Sequence, residues 1–183
     1  TFAGAPEAVA DAMLAAAAVA IERISLEHHQ GVHPRVGAVD VVPFVPLRGM
    51  SLPECAALAQ SFARRAADEL GLPVYLYEAA ASRPDRTPLE NIRRGNYEGL
   101  KTAIQTEPDR APDFGPPRLS TPGATVIGAR MPLVAYNVYL TTDDVEIARN
   151  IAVAIRYSSG GLRYVKALGL LVNGRAQVSM NLT

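Results

Sequence analysis

Asn173-Gly174 lies between two apolar runs, Tyr164 to Val172 and Ala176 to Leu182, and constrains the fold more than any other dipeptide in the chain. Asn and Gly both tolerate the left-handed backbone of a two-residue hairpin turn, so the pair predicts two antiparallel strands. Helices precede the hairpin. Pro6 to Leu26 is alanine-rich, with Val9, Met13, Ala16, Ala17, Ala20, Ile21 and Ile24 at helical spacing. That pattern predicts a helix with one buried face, its small residues allowing close packing on a sheet. Ser51 and Glu54 have capping-box spacing at the head of a second helix, which Gly71 ends. Leu89 to Ile104 predicts one or two short helices around Gly95, and Asp143 is placed to cap a helix over Asp144 to Tyr157.

Further strands are expected over Ala38 to Val45, where Pro43 and Pro46 limit the length or mark an edge, and over Val74 to Tyr77. Ala124 to Thr142 reads as one or two strands breaking near Arg130 to Pro132. Between Gln105 and Gly123, prolines 108, 112, 116, 117 and 122 argue against regular structure. A functional loop and a linker both remain open there. A hairpin beside several helices predicts the α+β class, with helices packed on one mainly antiparallel sheet.

Composition excludes some functions. Lys plus Arg equals Asp plus Glu at 18 each, which argues against a general nucleic-acid or membrane-surface binder. The longest apolar run, Ala12 to Ile21, is too short to span a bilayer. Cys55 is the one cysteine and cannot form an internal disulfide, favouring a reducing, cytoplasmic setting. The chain begins without Met and shows no signal peptide, as a fragment or a processed form would. No P-loop, no G-x-G-x-x-G after a strand, no G-x-S-x-G and no C-x-x-C occurs. Nucleotide hydrolysis, Rossmann cofactors, serine hydrolases and thiol redox chemistry lose ground accordingly.

All three histidines fall between His28 and His33, in a stretch running on to Leu47. Histidine is the only side chain whose unperturbed pKa, about 6.5, lets it lend and recover protons near neutrality. His33, in a turn between a helix and a strand, is either a proton shuttle or a solvent-facing or capping residue. His29 and His33 have the spacing of two metal ligands on one helical face, but Gly31 and Pro34 break such a helix and no third ligand lies at a fitting distance in sequence. No metal is expected. Arg35 offers a fork for a carboxylate. Asp40 orients a histidine, holds a polar ligand, or serves a local turn or salt bridge. Arg93, Arg94 and Lys101 bracket Tyr97 as an anion site or as a solvated helix face. Gly115, after Asp113-Phe114, allows close backbone approach, and the following residues to Gly123 either wrap a flat ligand or form a turn.

The stretch His28-His29-Gln30-Gly31-Val32-His33-Pro34-Arg35-Val36-Gly37-Ala38-Val39-Asp40-Val41-Val42-Pro43-Phe44-Val45-Pro46 resembles the signature H-x-G-E-H-P-R-M-G-A-x-D-V-x-P-F-x-P of glutamate formiminotransferases. The resemblance continues in order through Leu72 to Tyr77, Arg94 to Leu100, Ala111 to Pro116, Gly123 to Arg130 and Ala176 to Leu182. It implies transfer of a formimino group from N-formiminoglutamate to tetrahydrofolate, giving 5-formimino-tetrahydrofolate and glutamate. That reaction belongs to histidine degradation and one-carbon metabolism. It places the acid/base role on His33 and the folate on Gly115, Pro116, Pro117, Arg118, Leu119, Ser120, Thr121, Pro122 and Gly123. Arg35, Asp40 and Arg130 become the candidates for the glutamate part of the substrate. Tetrahydrofolate enters as co-substrate and no metal is implied.

The resemblance also implies a ferredoxin-like sandwich, with residues 1–183 a single N-terminal subdomain. The family's first strand would then be missing before Thr1 and its second subdomain after Thr183. A homodimer or the added subdomain would cover the open strand edges. Val32 stands where the family has Glu beside the histidine, removing a negative neighbour. A non-catalytic folate-binding or assembly domain of the same ancestry is the alternative expectation.

Overall fold

The apolar runs of the first 130 residues become a parallel sheet. In the computed structural model, which describes all 183 residues, β1 (Asp40–Phe44), β2 (Val74–Glu78) and β3 (Thr125–Ala129) stand in the order β1-β3-β2. Asp40 and Val74 both lie beside Thr125, and both pairings are parallel. The expected mainly antiparallel sheet is absent here, for a reason visible in burial. Residues 74–77 and 125–129 are buried throughout. Strands covered on both faces lose the in-out alternation of a half-solvated sheet and suit parallel pairing under helices. Pro43 sits in an edge strand, where its missing N–H is tolerated.

Helices α2 (Leu52–Leu70), α3 (Leu89–Ile92) and α4 (Asn96–Thr106) provide the crossovers. The path β1 to β2 to β3 reverses direction across the sheet. Right-handed connections therefore put α2 on one face and α3 with α4 on the other. The buried clusters agree. Phe62, Ala59 and Ala63 of α2 pack with Val42, Phe44, Val74, Leu76 and Ile127. Ile92, Leu100 and Ile104 pack with Tyr75, Tyr77 and Val126. The Ser51–Glu54 capping box forms in full and Gly71 closes α2 in the left-handed region, as the sequence predicts.

Helix α1 (Pro6–Arg23) departs from expectation twice. It packs chiefly along α2, where Asp11 pairs with Arg65, rather than lying close on the sheet. It also ends at Arg23 rather than Leu26, because the Leu26 N–H donates to Thr121 O at 2.8 Å instead of continuing the helix.

The chain divides into Thr1–Arg130 and Met131–Thr183, at the break expected near Arg130 to Pro132. The second unit holds β4 (Val134–Tyr139), α5 (Val145–Ile155), β5 (Val165–Val172) and β6 (Arg175–Leu182). Its sheet is antiparallel, in the order β4-β6-β5. Asn173 and Gly174 take φ values of 50° and 73°, the hairpin turn their sequence demands. The cap of α5 is Asp144, one residue later than expected, with its carboxylate accepting from the Glu146 N–H at 2.9 Å. Ala148 and Ala152 of α5 pack on Ala167, Ala176 and Val178. The approach is close enough that a Cβ on Gly169 would lie 2.3 Å from the Arg149 nitrogen. The chain is thus a mixed α and β protein whose antiparallel strands all lie in this unit, the first unit holding only the isolated antiparallel bridges Gly37–Gly123 and Val74–Phe114. No helix is long and apolar enough to cross a membrane.

Ala63 of α2 is fully buried against the parallel sheet. Ala63→Leu is expected to overpack that face and destabilise the protein by roughly 1–3 kcal/mol, read as a lower midpoint in urea unfolding.

Candidate functional site

Two loops meet at the amino ends of β1 and β3. Beyond α1 the chain turns on Ser25, whose carbonyl accepts from the N–H groups of His28 and His29. It then passes through the exposed turn of Val32 and His33 to the fully buried Val36. There it runs against the proline-rich segment. Ala124 N–H donates to Val36 O at 2.9 Å, Ala38 N–H donates to Pro122 O at 2.8 Å, and Gly37 bridges Gly123 in antiparallel sense. Both glycines are dictated by this approach. A Cβ on Gly37 would lie 1.8 Å from Ala124 O, and one on Gly123 would lie 2.2 Å from Val36 O.

The proline-rich segment is anchored at its other end as well. Asp113 accepts from Leu76 N–H at 2.8 Å, from Arg86 at 2.6 Å and from the Ser82 hydroxyl. Gly115 (φ +82°) presses on Leu72 O. The close approach allowed by Gly115 is therefore to the protein's own backbone. Between these anchors Pro117, Arg118, Ser120 and Thr121 are exposed, while Leu119 packs inward on the α4 side of the sheet. Of the two readings left open for this segment, the structure excludes a free linker.

Three charged contacts tie the His33 turn to α3 and α4. Arg35 donates to both oxygens of Glu98, at 3.1 and 2.8 Å, and to His29 O at 3.0 Å. Glu27 accepts from the Tyr97 hydroxyl at 2.6 Å and from the Lys101 ammonium. Asp40 accepts from Val36 N–H at 2.8 Å and pairs with Arg93. Asp40 itself takes φ +57°, a conformation that Asp tolerates through such local hydrogen bonds.

These contacts move the titrations they touch. The Arg35 fork holds Glu98 below the usual carboxylate range, and Glu98 raises Arg35 in return. Lys101, then Tyr97, lowers Glu27. Burial, then Glu27, pushes the Tyr97 hydroxyl up to about 12.

The residues singled out in the sequence thus fall into groups. His33 is exposed with no hydrogen-bond partner, open to an incoming molecule, with Val32 half-exposed beside it. Residues 115–123 share its end of the sheet. Arg35 and Asp40 are there too, but both are engaged, by Glu98 and by Arg93. Arg130 is not brought together with them. It follows β3 at the carboxyl end, with its side chain bonded to Tyr77. The five residues of β3 set it roughly 16 Å from the His33 end. Arg93 and Lys101 serve Asp40 and Glu27 rather than an open anion site at Tyr97. Sequence reasoning missed Glu27, Tyr97 and Glu98 as supports of the His33 turn. Their charges were legible, but partners more than sixty positions apart were not.

A family model described as the formiminotransferase domain, N-terminal subdomain, matches residues 1–130. The chain is 44% identical over 185 residues to a glutamate formimidoyltransferase of Streptococcus pyogenes serotype M1, covering 100% of this chain and 62% of that one. It is 49% identical over 177 residues to a glutamate formimidoyltransferase of Thermoplasma acidophilum, covering 94% of this chain and 58% of that one. It is 44% identical over 191 residues to the formimidoyltransferase-cyclodeaminase of Gallus gallus, covering 100% of this chain and 35% of the longer protein. The chain therefore spans less than two thirds of the length of each of these relatives.

Gly123→Ala is expected to part the two loops and to cost about 3 kcal/mol or more, measured by denaturant unfolding. The pH dependence follows from Glu27 and Glu98, whose folded pKa values lie below the ordinary 4.5. An opened loop binds more protons than the closed one, so the closed form gains stability with pH. The contacts are complete above pH 4.5 and are lost as pH falls through the depressed values. Relative to the intrinsic rate at each pH, amide exchange at Leu26 and Ala38 should accelerate on acidification before that of β3. Glu98→Gln should accelerate it at neutral pH.

Proposed function

The chain belongs to the formiminotransferase N-terminal subdomain family, and from that premise we propose that the whole protein transfers a formimino group from N-formiminoglutamate to tetrahydrofolate. The observation that carries this reading is the joining of the His33 turn to residues 115–123 through Gly37 and Gly123. It puts an accessible histidine and an exposed, doubly anchored segment side by side, as a two-substrate reaction needs. The N5 amine of tetrahydrofolate attacks the formimino carbon and loses a proton to the His33 imidazole. The carbon–nitrogen bond to glutamate breaks, and the same imidazole returns the proton to the leaving amine. The reduced folate is the group's acceptor and carrier, and no metal takes part in the scheme.

Residues 115–123 contact the folate in this scheme. Arg118, exposed there without a partner, is the available cation for carboxylates. Val32 offers an apolar contact for a flat ring where a Glu stands in the family signature. Arg35 and Asp40 serve the substrate by holding the turn, since both are already paired. Arg130 lies too far along β3 to share in the reaction at His33.

The same reading places the protein in the cytoplasm, in histidine breakdown and one-carbon metabolism. A homodimer or a further subdomain would cover the open edges of the sheets. The ferredoxin-like arrangement is supported in the second unit. There β4-α5-β5 is split by the antiparallel β6.

The test is turnover of the full-length protein with tetrahydrofolate and formiminoglutamate. His33→Ala is expected to lower kcat by about 100-fold or more. An unchanged rate would remove His33 from the mechanism. Folate binding without turnover by the native protein would favour a binding module instead.

A further inference from the structure

The turn between α3 and α4 carries two consecutive arginines with different surroundings. Arg93 pairs with Asp40. Arg94 is exposed, has no hydrogen-bond or ion-pair partner for its side chain, and lines a cavity of about 200 Å³. Arg83, Arg86 and Arg110 line the same cavity.

A charge balance separates these four guanidinium groups. Arg86 is neutralised by Asp113 at 2.6 Å, both side chains being buried. Asp85 and Asp109 line the cavity as well, and Arg83 meets them at 3.1 Å and 3.8 Å. Arg110 is only 8% exposed and meets no carboxylate. It donates to three carbonyls, Asn91 O at 2.9 Å, Ile92 O at 3.0 Å and Arg94 O at 3.1 Å. These bonds cap the carboxyl end of α3 and explain where the side chain lies. They leave its charge without a counter-ion. Burial pulls Arg110 below its ordinary pKa, Arg94 and Arg86 act in the same direction, and Tyr75 and Glu107 oppose them. Two uncompensated cations, one of them buried, thus border one small cavity. An unpaired buried charge is costly, and an arriving anion removes much of that cost.

We propose that this cavity binds a small oxyanion, a carboxylate or a phosphate, between Arg94 and Arg110. Guanidinium groups suit either, because their planar forks match two oxygens at once. The volume is below that of ordinary cofactor sites and suits a single acidic group or a small diacid.

The test uses the 183-residue chain, with inorganic phosphate and glutarate titrated separately at fixed ionic strength and followed by calorimetry. Saturable binding of one or both is expected, and the anion that saturates identifies the source. Arg94→Gln changes an exposed side chain and is expected to weaken binding roughly tenfold or more, with the anion-free melting temperature unchanged. Asn91→Asp, which adds a carboxylate to the cavity wall, is the second variant and should abolish binding. Absence of saturation by either anion would overturn the proposal, as would saturation that neither variant weakens.

Discussion

The contact on which the candidate site depends is the crossing of two backbones at Gly37 and Gly123. Neither position has room for a methyl group. The hydrogen bonds on either side, Ala124 to Val36 and Ala38 to Pro122, are ordinary in length. Each contributes about 1 kcal/mol. Geometry is their larger contribution. Once the two chains lie this close, the start of β1 and the start of β3 share a register, and the loops leading into them have one relative position.

Around that crossing the polar contacts divide by burial. Arg86 and Asp113 are nearly inaccessible, and each would leave a costly orphan if the other were lost. Arg35 with Glu98 and Lys101 with Glu27 are more exposed, at 15%/62% and 49%/40%. Water screens such pairs, and they contribute little to global stability. They are suited to holding a short turn in place, a task that needs orientation more than free energy. The deep network thus sets the start of the proline-rich segment, and the shallow one sets the His33 turn.

Much of this was legible in the sequence. The hairpin at Asn173-Gly174, the cap at Ser51, the stop at Gly71 and the two short helices around Gly95 follow from local backbone chemistry. What was missed depends on distant partners. The parallel sheet is signalled by Val74 to Tyr77 and Val126 to Ala129, runs without a polar or charged side chain in alternation that fit burial on both faces. The antiparallel pairing that the hairpin predicts does not reach β1, β2 and β3. The end of α1 is not legible locally because Leu26 finds a partner in Thr121, nearly a hundred positions away. At the site, the motif residues His33, Arg35 and Asp40 could be named, and 115–123 with them. That Arg35 and Asp40 were already occupied, and that Arg130 stood at the other end of β3, required the fold.

The long reach of the Gly37–Gly123 crossing also bears on the order of assembly. Its two sides are far apart in the chain, with β1, α2, β2, α3 and α4 between them. Closing so long a loop costs entropy that only the completed sheet can repay. The crossing closes the same long loop as the pairing of β3 with β1, and the two share that entropic cost. A nascent chain halted before Gly123 would hold the histidine and all three of its ion-pair supports, yet lack the backbone against which they are set.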